Sequence, residues 1–516
     1  MEKNKNKMLS GALILTVSGL IVKMLGFIYK IPLSYLLSDE GMSYFNSAYT
    51  VYTFFYIVCT AGVPKAISIL ISEADGEGKR EDVKKIYSTA FIFFLFFGVL
   101  LSIIFIFSAP ILTRLICNKK TLLTMLSIAP SIMFVCASGV VRGYYNGILN
   151  LMPIAVSEFL SGITRLLLGI LFAIIGCKLN FDLYVISAMT MLGTTLGSFF
   201  SFLYLALCKK TRLSYNKSGQ RTNFISLDIL KRIIQIAFPL TLASVVACIG
   251  GLIDLTVIIR GLLKSGLSEL QAGILYGNYT TLAVPLLNLT ATVIAPICTV
   301  FLPIVSKSKK DPQLISKNLS DVFKAVSFIA IPVSVLFFLS PYRILSLLFE
   351  DSGAALATPM LFLLAPGTLF MCYLTLINTV LEGLGKTKIP LFSLLVGMII
   401  KLIVNFLLIK DINFGIIGAP IGTTVSYVIS FMISFVYLSC TMKIKVKILI
   451  PFMSVLFSSI AATALSQVIV SIFKTPEFIN TVLFFAIWVV LYFLLLIIVK
   501  FFKLKDIIFW LKYTKK

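Results

Sequence analysis

Seven cations interrupt stretches of this chain that are otherwise apolar: Lys23, Lys30, Lys65, Arg142, Arg165, Arg260 and Lys401. An ionised side chain deep in hydrocarbon is costly and persists where it faces a polar cavity or a partner. Lys23, Arg165 and Lys401 fall near the middle of their runs. From there a head group would have to travel about 15 Å to reach the interface, beyond a lysine side chain, so these three read as cavity-lining. Lys30 follows Lys23 by seven residues and shares its helical face, which makes a cationic stripe. Lys65, Arg142 and Arg260 lie nearer the run ends, where snorkelling and a binding role are both open. Such a cluster suits a phosphate or diphosphate, because a desolvated phosphate needs charged hydrogen-bond donors, and it disfavours a cationic ligand. Buried acids are fewer. Glu158 stands seven residues before Arg165, where neutralising it is one expected role, and both Glu158 and Asp254 are candidates for charge pairing or for coordinating a coupling ion. Asn405, one turn beyond Lys401, could bond to a sugar or bridge two helices.

Covalent chemistry finds little support. The chain has no histidine, which removes histidine-based triads, HExxH zinc sites and histidine proton relays together. Its nine cysteines are scattered through apolar runs without metal spacing, so no metal site and no cofactor are expected.

The elements that must position these residues are membrane spans. The 516 residues are 59% hydrophobic and 13% charged, with a mean hydropathy of +1.02, more apolar surface than a soluble core can hide. Apolar runs of roughly 20 residues or more recur from Leu9 to Lys503, each long enough for a hydrocarbon layer of about 30 Å. They are too long and continuous for barrel strands, so the fold class is an all-α membrane protein of about fourteen transmembrane helices. Expected limits are 10–37, 43–72, 87–116, 121–149, 152–177, 183–208, 230–262, 271–305, 320–348, 355–383, 389–409, 414–441, 447–473 and 478–502. The basic start of the chain, Lys3, Lys5 and Lys7, resembles a signal peptide, but the run behind it reaches about Leu37 and contains Lys23 and Lys30, so it is kept as a span.

Loop charge alternates. One set holds Lys79, Arg80, Lys84 and Lys85, then Lys209 to Arg221, Lys307 to Lys317, Lys386 with Lys388, and Lys443 to Lys447; the other carries Asp39, Glu40, Asp182, Glu269, Glu350, Asp351, Asp411 and Glu477. By the positive-inside rule the first set is cytoplasmic, and both termini lie inside. The net charge of +24 follows from this sidedness and from attraction to anionic membrane lipids, and no nucleic-acid partner is expected.

Two halves look alike. Val63-Pro64-Lys65 ends the second span before a basic loop as Leu302-Pro303-Ile304 ends the eighth, and Asn146 to Pro153 joins spans four and five as Glu382 to Pro390 joins ten and eleven. The proline separations nearly match, 153 − 64 = 89 and 390 − 303 = 87. Arg165 follows its proline by 12 positions and Lys401 its own by 11. Two pseudo-symmetric six-helix lobes plus two C-terminal helices is a transporter layout with the substrate between lobes. The expected division is 1–228 for the N-terminal lobe, 229–442 for the C-terminal lobe, and 443–516 for the last two spans and a cytoplasmic tail, with Lys209 to Asp228 as the linker. Tyr44, Tyr49, Tyr52 and Tyr56 of the second span could stack on sugars, but an interfacial aromatic belt accounts better for most of them.

The segments Lys23-Met24-Leu25-Gly26-Phe27-Ile28-Tyr29-Lys30-Ile31-Pro32, Ala61-Gly62-Val63-Pro64-Lys65, Arg142-Gly143-Tyr144-Tyr145-Asn146-Gly147 and Leu381-Glu382-Gly383-Leu384-Gly385-Lys386 carry a resemblance over nearly the whole chain. They resemble the stage V sporulation protein B family, within the multidrug/oligosaccharidyl-lipid/polysaccharide (MOP) exporter superfamily that includes the lipid II flippases. The resemblance implies a MATE-like fold in the bacterial cytoplasmic membrane. It also implies transport, in cell-wall synthesis or sporulation, of a lipid-linked glycan by alternating access, with membrane lipids and wall-synthesis proteins as further partners. In the lipid II flippases two arginines on the first span serve the pyrophosphate; Lys23 takes the place of the first, and Tyr29 falls where the second is expected. Coupling to membrane potential or to a monovalent cation belongs to this expectation. The rival readings are a cation-coupled multidrug exporter, which needs Glu158 or Asp254, a membrane glycosyltransferase, for which the loops are short, and a non-transporting scaffold.

Overall fold

A backbone in hydrocarbon has no hydrogen-bond partner but itself, and in the computed structural model every long apolar run is helical, with no strand among the described residues. The structure describes residues 2–213, 226–307, 312–349, 351–386, 388–411, 413–441, 449–472 and 476–499; several helical side chains, Lys23 among them, lie outside that description. Residues 214–225 of the expected linker Lys209 to Asp228, the basic residues Lys309 and Lys310, and the basic stretch Lys443 to Lys447 also lie outside it.

Two compact units divide the chain, Met1–Thr281 and Leu282–Lys516. The first contains α1 (Glu2–Thr60), α2 (Val63–Gly76), α3 (Arg80–Leu115), α4 (Leu122–Ile128), α5 (Ser131–Gly147), α6 (Met152–Lys178), α7 (Leu183–Leu213), α8 (Leu227–Lys264) and α9 (Glu269–Asn278). The second contains α10 (Val284–Lys307), α11 (Pro312–Leu339), α12 (Pro341–Leu348), α13 (Asp351–Gly383), α14 (Lys388–Leu408), α15 (Gly418–Val436), α16 (Leu449–Ile472) and α17 (Glu477–Ile498). Among the described residues eleven segments are long and apolar enough to cross a membrane; the first, Met24–Gly76, covers two of the expected spans. The chain is a multi-pass, all-α membrane protein.

Breaks fall where backbone chemistry requires them, and some depart from expectation. α1 bends at Ser38, whose φ of 52° leaves the helical region, so the first two spans run on through one sharp kink. Val63-Pro64 does not end a helix. The chain breaks at Ala61-Gly62 and Pro64 stands in the first turn of α2, where its missing N–H costs nothing. Leu302-Pro303, its expected counterpart, lies inside α10. The span expected at 271–305 is two helices: Ser268 and Gln271 form a capping box that starts α9, and a π-helical turn, Tyr279–Ala283, joins it to α10.

The duplication is visible in local geometry. α5 turns into α6 through hydrogen bonds from Ile148 N–H to Tyr144 O, Leu149 to Asn146 and Asn150 to Tyr145; α13 turns toward α14 through Leu384 to Val380, Gly385 to Glu382 and Lys386 to Leu381. Each bond of the second set lies 236 positions after its counterpart (384 − 148), and the residues at positive φ, Leu149 (54°) and Gly385 (80°), keep the same separation. Two buried cysteine pairs repeat as well. Cys59 of α1 neighbours Cys136 of α5, and Cys298 of α10 neighbours Cys372 of α13 within one apolar core, at separations of 239 (298 − 59) and 236 (372 − 136).

Candidate functional site

Arg165 sits near the middle of α6, held by aromatic groups of α1 rather than by an acid. Glycine at 26 permits the approach, because a Cβ there would come within 2.8 Å of Arg165 Nη2. The guanidinium carbon stands 5.6 Å from the centroid of the Tyr29 ring, within cation–π range. Its Nη1 donates to the Tyr49 hydroxyl over a long 3.5 Å. Tyr29 is only 2% exposed and fits there because residue 169, one turn beyond Arg165, is glycine; a Cβ at that position would strike the Tyr29 hydroxyl. Neither Arg165 Nε nor the Tyr29 hydroxyl, both buried, has a hydrogen-bond partner among the described residues. Buried polar atoms are normally satisfied, so this pair marks a place where donors are held ready.

Lys30 joins the group. Its ammonium donates to the Thr280 carbonyl over 3.2 Å, and it lies close enough to Arg165 for the two like charges to interact. The ion pairs among the described residues include neither Arg165 nor Lys30. Two neighbouring cations without an acid make a local positive field that an anion would relieve.

Glu158 does not neutralise Arg165 as expected. Seven residues along a helix is a rise of about 10 Å, too far for direct contact. It accepts instead from Arg142 of α5, Nη1 to Oε1 at 3.4 Å, while Arg142 Nη2 donates to Ser201 of α7 at 3.4 Å, with Tyr56 alongside. Lys65 and Arg260 stand apart from the group. Both are exposed, and Arg260 Nε donates to the Leu115 carbonyl at 3.2 Å, near the end of α3. Asp254 is half-buried on α8. Lys23 lies on the helical backbone of α1, its side chain outside the described residues.

In the second unit Lys401 is half-buried near the middle of α14, 236 positions after Arg165 (401 − 165), the separation found at the helix joints. Asn405 is fully buried, and a Cβ on Gly422 of α15 would run into its amide oxygen, so this side chain fills the crossing of α14 with α15 as a helix bridge.

The second-span tyrosines form a packed ladder rather than a set spread on the surface. Tyr44 and Tyr52 are 3% and 4% exposed, and Phe45, Tyr49, Tyr52 and Tyr56 form a ladder with ring centroids 5.9–6.1 Å apart. Their spacing of three and four residues was the signal for a shared buried face. Sequence reasoning noted Tyr29 only as a missing arginine, and it passed over Gly169, Ser201 and Thr280, whose roles depend on which helices cross.

The arrangement can hold and orient an anion; among the described residues it contains no nucleophile paired with a base. The fold is of the MATE-like transporter type, and the relatives it matches are transporters and flippases rather than enzymes. The chain belongs to the polysaccharide biosynthesis protein family, whose model matches residues 8–309, and a MatE model matches residues 280–407. It is 23% identical to stage V sporulation protein B of Bacillus subtilis (strain 168) over 97% of this chain and 96% of that protein. It is 22% identical to lipid II flippase MurJ of the same organism over 78% of each. A solved structure of lipid II flippase MurJ in an inward closed conformation superposes with a TM-score of 0.72 at 18% identity, covering 94% of this chain and 98% of that one.

Proposed function

We propose that the chain is a flippase that moves an undecaprenyl-diphosphate-linked cell-wall precursor, or a related lipid-linked oligosaccharide, from the cytoplasmic to the outer leaflet by alternating access. The observation that carries this reading is Arg165: a cation near mid-span, stacked on Tyr29, with Lys30 beside it and no acidic partner among the described residues. Lys401 holds the equivalent position within the second unit. Lys23 adds to the set on this reading, the diphosphate binds the cations, and the polyprenyl tail stays in lipid. On this reading both termini face the cytoplasm, which the loop charges support through the positive-inside rule. Movement of a net positive site through the membrane field would couple transport to the potential, at about 2.3 kcal/mol per charge per 100 mV.

The test is leaflet exchange of a fluorescent undecaprenyl-diphosphate muropeptide in liposomes with an imposed potential. Wild type is expected to move the lipid, Arg165→Ala and Lys401→Ala to slow it strongly, and Glu158→Gln and Asp254→Asn to slow it less. Wild-type transport that needs Glu158 or Asp254 but neither Arg165 nor Lys401 would favour a cation-coupled exporter instead.

A further inference from the structure

The Lys30 ammonium is bonded to a neutral acceptor, the Thr280 carbonyl, at 3.2 Å. Thr280 belongs to the π-helical turn Tyr279–Ala283, which lies where the chain passes from one compact unit into the other. That carbonyl is open for a reason found five residues on. The i to i+5 pattern of a π turn directs the carbonyl of residue 280 toward the nitrogen of residue 285, and residue 285 is a proline, which carries no hydrogen. A carbonyl away from water needs a donor, and Lys30 supplies one from α1. Two more ties from α1 flank it, Thr50 Oγ1 to the Tyr276 hydroxyl at 3.4 Å and Asn46 Nδ2 to Thr281 Oγ1.

We propose that Lys30 is a latch released by substrate: it steadies the π turn until a lipid diphosphate seated on Arg165 draws the ammonium away from Thr280 and frees the turn where the two units join. This rests on the substrate reading above. The bond to Thr280 joins an ion to a neutral carbonyl, whereas a phosphate adds full attraction between opposite charges, so the diphosphate wins the competition. Lys30 is then a positioning residue that makes rearrangement conditional on a charged head group.

Hydrogen exchange of the full chain in lipid nanodiscs tests this, with undecaprenyl diphosphate as probe, uncharged undecaprenol as control, and binding read on the same samples by native mass spectrometry. Lys30→Met should speed exchange across residues 276–284 about tenfold, the scale of one lost charged hydrogen bond. Undecaprenyl diphosphate should do the same to wild type, undecaprenol should not, and Lys30→Met should show no further response. Lys30→Arg should keep the protection. Pro285→Ala restores a backbone donor for Thr280, so its turn should stay protected with or without the lipid. Binding of the diphosphate with unchanged exchange overturns the latch and leaves the substrate reading standing. Lys30→Met that exchanges like wild type also overturns it. Failure of wild type to bind the diphosphate overturns the substrate reading, and the release step with it.

Discussion

The α6–α7 pair of the first unit and the α14–α15 pair of the second are built on one plan and finished differently. Arg165 and Lys401 occupy equivalent positions, and the helices beside them cross on equivalent small residues. Gly169 meets Gly193 in the first pair and Asn405 meets Gly422 in the second, with separations of 236 (405 − 169) and 229 (422 − 193). One step earlier Ser161 meets Gly197, and Gly397 meets Ser426, at the same two separations, with glycine exchanged between partners. In the first unit glycine on glycine leaves a hole that Tyr29 of α1 fills, so the neighbouring cation is bound to the first span. In the second unit Asn405 fills the hole itself. The duplicated frame fixes where the cation stands; the residue one turn along decides which other helix it answers to.

This comparison predicts an unequal response to exchange of the two cations. Arg165→Lys should lose most transport, because lysine cannot stack its head group flat on Tyr29 while reaching Tyr49, whereas Lys401→Arg should retain most of it. Arg165→Ala should lower the rate by about 30-fold or more, the equivalent of about 2 kcal/mol for a bond to a charged group. Leaflet exchange in liposomes measures both, and equal tolerance at the two positions would break the comparison.

The crossings should differ next. A Cβ on Gly193 would lie 2.5 Å from the Gly169 backbone nitrogen, a clash that only a helix shift relieves. A Cβ on Gly422 meets the Asn405 amide, a side chain able to turn aside. Gly193→Ala should therefore cost about 1–3 kcal/mol and Gly422→Ala clearly less, read by thermal unfolding in detergent. The reverse order would refute the account of the two holes.

The smallest effect concerns the joints. Leu149 holds the left-handed conformation that Gly385 holds in the second unit, and it is 54% exposed, so its side chain gives little back. Leu149→Gly should stabilise the protein by about 1 kcal/mol, seen as a small rise in Tm. No gain would indicate that the leucine makes contacts of its own with the surrounding lipid.

Much of the frame was legible in the sequence because the bilayer imposes it. Apolar length alone marks spans, and a proline and glycine rhythm repeated at similar spacing pointed to duplication before the joints gave 236. The equivalence of Arg165 and Lys401 was near the surface for the same reason. What stayed hidden depends on long-range register. Glu158 could be assigned to Arg165 along one helix, but its partner Arg142 is brought by the packing of another. The second-span tyrosines read as an interfacial belt because composition cannot separate a membrane boundary from a buried ladder. Tyr29 looked like an arginine lost, while its use as the floor under Arg165 requires the glycine at 169 on a different helix.

The central claim, that Arg165 and Lys30 of the first unit hold a diphosphate, is tested most directly by affinity. Undecaprenyl diphosphate and undecaprenyl monophosphate should be titrated against wild type, Arg165→Ala, Lys30→Met and the double variant. The account predicts that wild type prefers the diphosphate, that each single change weakens its binding, and that the double variant no longer distinguishes the two lipids. Unchanged preference in the double variant would contradict it.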